Sequence, residues 1–157
     1  MMNRTPRPDD KQVTLRTRAL AILARREHSR AELARKLATF AESPDQIEPL
    51  LDELARRKML SDERYAEARV HTLARKFGAA RIESELRAKG VSGSIAGSAT
   101  RAARDTELER ARAVWRKRFG ALPQNALEKA QQSRFLAGRG FDFATIRAIL
   151  GGRVEDE

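Results

Sequence analysis

Two histidines are the first residues to ask about chemistry. His28 and His71 stand 43 positions apart, and neither falls in a metal-ligating spacing such as H-E-x-x-H. The chain has no cysteine, so thiolate metal sites, disulfides and a Cys nucleophile are excluded. No phosphate-cradling glycine loop follows a strand, and Gly151-Gly152 comes after an apolar stripe, as a terminator would. Ser29 lacks a base within a motif and reads as a helix cap. No catalytic residue, metal site or cofactor is therefore expected. What remains is positive charge: Lys and Arg total 32 against 22 Asp and Glu, for a net charge of +10. Arginine forks pair bidentately with phosphates and carboxylates, so a polyanion or an acidic protein surface is the natural partner.

The basic residues fall in clusters. Arg25, Arg26 and Arg30 surround the junction of the first two expected helices, with Arg35 on the second. Arg75 and Lys76 precede the middle helix-turn, and Arg81, Arg87 and Lys89 lie on and just after its helix. Arg134 and Arg139 flank a later turn, and Arg116-Lys117-Arg118 ends the helix before it. The steepest charge runs from His71 to Arg104, with seven basic residues against Glu83 and Glu85. Many of these cations sit in last helical turns, where they also complement the helix dipole. Of the eight aromatics only Phe135, between Arg134 and Leu136, could serve as an exposed stacking platform, and burial is the expectation there too.

These side chains must be positioned by helices. Period-2 alternation is absent, while the helical period returns again and again. Leu15, Ala19, Ile22 and Leu23 form one face. Ser29-Arg30-Ala31-Glu32 is a capping box ahead of Leu33 and Leu37. Ser43-Pro44-Asp45-Gln46 opens a third helix striped by Ile47, Leu50, Leu51 and Leu54, where Pro49 predicts a kink or a late start. The pattern restarts at Ser61, with a face of Ala66, Val70, Leu73 and Phe77 stopped by Gly78. Ile82 and Leu86 stripe the next helix, ended by Gly90, and Ile95, Ala99 and Ala102 the one after. It restarts again near Asp105 with Leu108, Ala111, Trp115 and Phe119, then Leu127, Ala130 and Leu136, then Ile146, Ile149 and Leu150.

The fold expected is all-α, an elongated array of three tandem three-helix, helix-turn-helix-like repeats over 13–60, 61–104 and 105–152. A flexible segment, 1–12, would precede them and an acidic tail, 153–157, follow. An array of this kind would exceed the ~15 Å radius of gyration of a compact chain this long. The polar stretch Met1 to Lys11 argues against a secretory signal, and no apolar run approaches the ~18 residues of a membrane helix. A cytoplasmic protein without membrane contact is expected.

Four elements, in order, resemble the RecX family. The run from Ala19 to Leu37 is similar to its opening signature, and Leu60-Ser61-Asp62-Glu63-Arg64-Tyr65-Ala66-Glu67 to a second element, with Tyr65 in place of the usual Phe. Glu85-Leu86-Arg87-Ala88-Lys89-Gly90-Val91 resembles its E-L-x-x-K-G-hydrophobic element, and Arg134 to Phe141 its closing R-G-F element. Gly93 to Ser98 and Gln131-Gln132-Ser133 depart from the pattern. The resemblance implies tandem three-helix repeats and a regulator, not an enzyme. It implies binding along the groove of the RecA–DNA filament, with inhibition of ATPase, recombinase and co-protease activity in DNA repair and the SOS response. Some members also bind DNA directly, and a net charge of +10 without an obvious reading helix predicts that such binding here has low sequence specificity. On this reading the chain is a monomer and Arg81, Arg87 and Lys89 make the central contacts. The alternative is a helix-turn-helix transcriptional regulator using Ser29–Leu37.

Overall fold

The computed structural model describes residues 8–151, with side chains from Thr14 onward. Residues 1–7 and the expected acidic tail lie outside the described residues. Within them the chain is helical, with no strand. The helices are α1 (Pro8–Arg25), α2 (Arg30–Ala38), α3 (Ile47–Arg56), α4 (Asp62–Leu73), α5 (Ala79–Ala88), α6 (Gly93–Asp105), α7 (Glu107–Arg118), α8 (Ala126–Gly138) and α9 (Phe143–Leu150). A short 3-10 helix, Pro44–Gln46, leads into α3. Helix α1 thus begins inside the segment expected to be flexible. The chain forms two compact units. Unit 1 runs to Tyr65 and includes Lys89–Val91; unit 2 holds Ala66–Ala88 and the chain from Ser92 on.

In unit 1 the helical period does what the sequence predicts. Leu15 and Ala19 of α1, Leu33 and Leu37 of α2, and Ile47, Leu50, Leu51 and Leu54 of α3 converge with Leu60 on one core. Ser29 caps α2 through its hydroxyl, which accepts from Glu32 N at 3.1 Å. Pro49 falls in the first turn of α3, where the amide it lacks would have had no helical partner anyway. The late start is therefore the observed solution.

Unit 2 departs from the expected stripes in three places, each for a physical reason. Helix α4 ends at Leu73 rather than continuing through Phe77. Gly78 is not a left-handed cap; its N–H donates to Arg139 O at 2.8 Å, and a Cβ there would meet Gly140 O at 2.1 Å. It is glycine because backbone meets backbone. In α6 the buried residues are Ala96, Thr100 and Ala103, one position on from the expected face. Their small side chains suit contact with α5, which buries Ala79, Ile82 and Leu86. In α8 Leu127 is 76% exposed and Ala130 is exposed, while Gln132 and Leu136 turn inward. Gln132 is buried because its amide is used at both ends: Oε1 accepts from Trp115 Nε1 at 2.8 Å and Nε2 donates to Ala121 O at 3.1 Å. The second core gathers Ala111, Leu136, Phe141, Ile146, Ile149 and Leu150.

Two glycine turns repeat one packing rule. Gly90 has φ +84° and a Cβ there would sit 2.4 Å from Ala31 Cβ; beside it Lys89 O accepts from Ser29 Oγ at 2.7 Å. Gly140 has φ +88° and would meet Arg81 Cβ at 2.3 Å. In each case a left-handed turn lies on the start of another repeat's second helix. The corresponding turn of the first repeat, Thr39-Phe40-Ala41, has no glycine.

Candidate polyanion-binding clefts

Five cations meet in one concavity of unit 2. Arg75 and Lys76 follow the last turn of α4, Lys117 and Arg118 end α7, and Arg139 caps α8. Val114 and Phe135 complete the lining of a cleft of about 510 Å³. Cations in last turns are favoured by the helix dipole. Three such turns pool that preference into one surface. No carboxylate lines the cleft, and none of the five cations takes part in an ion pair among the described residues. Phe135 is half-buried, edge-on to Phe119 with centroids 5.4 Å apart. The guanidinium carbons of Arg139 and Arg118 lie 5.1 Å and 5.6 Å from its centroid, a cation–π arrangement that holds both forks at the cleft.

Unit 1 carries a second basic cleft of similar volume. Arg18, Ala21, Ile22 and Arg25 of α1, Arg26 and His28 of the following turn, Lys36 of α2 and Phe40 line it. Arg18 sits 4.0 Å over the Phe40 ring. Here the charges are partly answered. Arg26 Nη1 is 2.7 Å from Glu32 Oε1, and its N–H also donates to Glu27 O. His28 is 1% exposed. Its Nδ1 is 3.0 Å from Arg26 O, and its Nε2 is 2.7 Å from Lys36 Nζ and 3.5 Å from Glu32 Oε1. An ammonium only donates, so Nε2 accepts and the proton of a neutral ring sits on Nδ1. Burial holds His28 below the ordinary imidazole range; the hydrogen bond to Arg26 O opposes it, and the Arg26 and Lys36 charges add to it.

A third concavity of unit 1, about 440 Å³, has mixed charge, with Asp62 and Glu63 beside Arg30, Lys58 and Arg64. It offers no net attraction to a polyanion comparable with the other two. No cluster of three or more potential metal ligands occurs among the described residues.

The remaining sequence-predicted residues are dispersed. Arg30 is taken up by Glu48 at 2.6 Å and Asp52 at 2.7 Å, which raise its pKa. Arg35 and Arg134 are exposed, and Arg134 Nε donates to Ala130 O at 3.3 Å. Arg81, Arg87 and Lys89 do not form a free trio. Arg81 is a clasp: it donates to Gly138 O at 2.7 Å and lies 4.1 Å over Phe77. Arg87 pairs with Glu83 at 3.2 Å, and Glu83 also binds Arg104. Spacing along one helix places these cations; the carbonyl that answers Arg81 comes from a distant position, Gly138, and the carboxylate that answers Arg87 from one turn earlier on α5 itself.

Sequence reasoning reached Arg75, Lys76 and Arg139 in one cleft and Arg25 and Arg26 in the other. It did not single out Lys117, Arg118, Arg18 or Lys36 as binding residues; the basic last turn of α7 was the available signal. It also missed Arg110, which is structural. That guanidinium donates to Ala74 O at 2.7 Å, Phe77 O at 2.8 Å and Ala103 O at 2.6 Å, closing the ends of α4 and α6. Glu107, in the same unit, accepts from Ala79 N at 2.7 Å. Burial pushes its carboxyl up, and Asp142 beside it acts the same way, while Thr145 holds Asp142 down.

Comparison with known proteins agrees with this architecture. Family models for the first, second and third three-helix domains of RecX match residues 16–54, 61–99 and 105–150. A regulatory protein RecX of Leptothrix cholodnii is 52% identical over 139 residues, covering 88% of each chain. One from Ralstonia nicotianae is 44% identical over 140 residues, 89% of this chain and 88% of its own. The crystal structure of RecX from Lactobacillus salivarius shares the fold with a TM-score of 0.80 at 22% identity, over 90% of this chain and 96% of that one. Among the described residues no helix is long and apolar enough to cross a membrane.

Proposed function

Because the chain belongs to the RecX family, a family of regulators and not of enzymes, we propose that it binds the RecA–DNA filament and restrains RecA. The restraint falls on ATPase, recombinase and co-protease activity in DNA repair and the SOS response. The protein works as a monomer in the cytoplasm, and it also binds DNA directly with little sequence preference. The observation that carries this reading is the unit 2 cleft, with five cations and no carboxylate lining it. A nucleoprotein filament presents a regular line of phosphates, and neutralising them releases counterions. Complementary charge also steers the encounter.

The test is DNA-dependent RecA ATPase with and without the protein. The rate is expected to fall as the protein is added at low salt, and the inhibition to weaken as salt rises. An ATPase rate unchanged at a molar excess of the protein would refute the proposal.

A further inference from the structure

The unit 1 cleft contains a titratable group that simple charge attraction does not need. His28 is buried in the wall of a cleft otherwise lined by Arg18, Arg25, Arg26 and Lys36. Its Nε2 receives the Lys36 ammonium at 2.7 Å, while Glu32 Oε1 waits 3.5 Å away on the same nitrogen. An ammonium hydrogen-bonded into a neutral ring is held back from any ligand. We propose that this cleft is a proton-linked site for a phosphodiester chain, in which ligand binding and protonation of His28 favour one another.

The geometry supplies two arrangements of the same four groups. With His28 neutral, Nε2 accepts from Lys36, and Glu32 is paired with Arg26 at 2.7 Å. With His28 protonated, both ring nitrogens are donors. Nδ1–H stays on Arg26 O, Nε2–H turns to Glu32, and the Lys36 ammonium, now repelled at 2.7 Å, leaves the ring for the cleft. A phosphodiester oxygen there accepts from Lys36 and offsets the charge that opposes the second proton. The charged groups acting on the ring are Arg26 from its own turn and Glu32 and Lys36 from α2, with Arg18 and Arg25 of α1 lining the same cleft. Burial and the Arg26 and Lys36 charges keep the ring neutral without ligand, so an empty cleft takes up little proton near neutral pH. The unit 2 cleft has no histidine in its lining and no such linkage.

This inference rests on reading the basic clefts as polyanion sites, and one experiment separates the two. Oligothymidylate of four residues is a suitable probe, because its phosphodiesters and bases do not titrate between pH 5.5 and 8. Calorimetric titration at pH 6 and pH 8, each in two buffers of different ionisation enthalpy, gives the protons taken up per bound chain. The parent protein is expected to take up a sizeable fraction of one proton at pH 6 and close to none at pH 8. His28→Gln keeps a side-chain acceptor for Lys36 but cannot titrate, and should lose that uptake. Lys36→Met, which does not depend on tolerance of a new side chain at position 28, should also lower it. Binding by the parent without proton uptake, or equal uptake in parent and His28→Gln, overturns the linkage alone. No binding of the probe by the parent at low salt overturns the polyanion reading with it.

Discussion

The two clefts have nearly the same volume and the same ingredients, an aromatic ring among cations, yet they are built differently. In unit 1 the cations are partly spent inside the fold: Arg26 on Glu32, Lys36 on His28. In unit 2 the corresponding needs are met by other residues. Arg110 closes the carbonyl ends of α4 and α6, Gln132 ties Trp115 to Ala121, and Arg81 holds Gly138. Arg75, Lys76, Lys117, Arg118 and Arg139 line the cleft without an ion pair among the described residues. A basic surface is left free where structural hydrogen bonding is met by other residues. Counting cations along the chain does not reveal that assignment.

The largest expected effect is on folding of unit 2. Gly78→Ala forces a Cβ against Gly140 O at 2.1 Å, a backbone atom that cannot turn aside. It should cost about 3 kcal/mol or more, the upper range for overpacking. Chemical denaturation would register this as a lower midpoint. The matching contact in unit 1 is with a Cβ, which a second substitution can remove. Gly90→Ala combines an unfavourable positive φ with a clash against one methyl, Ala31 Cβ, and should cost roughly 1–3 kcal/mol. Adding Ala31→Gly should recover the steric part. The new glycine in α2 itself costs up to about 1 kcal/mol, and no recovery once that is allowed for would mean the φ requirement dominates.

Charge reversal separates the clefts next. Arg75→Glu, Lys117→Glu and Arg118→Glu together should leave helicity intact and lower affinity for single-stranded DNA about a hundredfold at low salt. The slope of log K against log salt should shrink by roughly 0.7 per lost phosphate contact. Arg18→Glu with Arg25→Glu in unit 1 should lower affinity by about tenfold. Equal losses would dissolve the distinction between free and committed cations.

The smallest effect is a dependence of unit 1 stability on pH. The folded-state pKa of His28 lies below its unfolded value of about 6.5. Its contribution to stability is therefore complete above that value and is lost as pH falls through and below it. Thermal unfolding between pH 7.5 and 5 should show the decline, and His28→Gln should flatten it.

Much of the helix order is legible in the sequence because caps and stops are local. Ser29, Ser43 and Ser61 each cap through a side chain that accepts from an amide two or three residues on, and Gly90, expected as a stop, adopts a left-handed turn. What escapes is what depends on distant partners. The inward face of α8 pairs Leu136 with a polar residue, because Gln132 serves two groups from α7 and the loop after it, so an apolar stripe points to Leu127 instead. The α6 face is shifted by one residue, since contact with α5 rewards small side chains more than Ile95. Likewise Arg81 and Arg139 look alike in sequence. Carbonyl O of Gly138 makes one a clasp, while the ring of Phe135 presents the other to a cleft.

The proposed role of the unit 2 cleft is to make the main contact through which RecA is restrained. Its most direct test is the DNA-dependent ATPase of RecA titrated at low salt with the parent protein and with the folded Arg75→Glu/Lys117→Glu/Arg118→Glu variant. At least tenfold more of the variant should be needed for half-maximal inhibition, with the Arg18→Glu/Arg25→Glu protein between the two. Inhibition by the unit 2 variant at the parent's own concentration would contradict the claim.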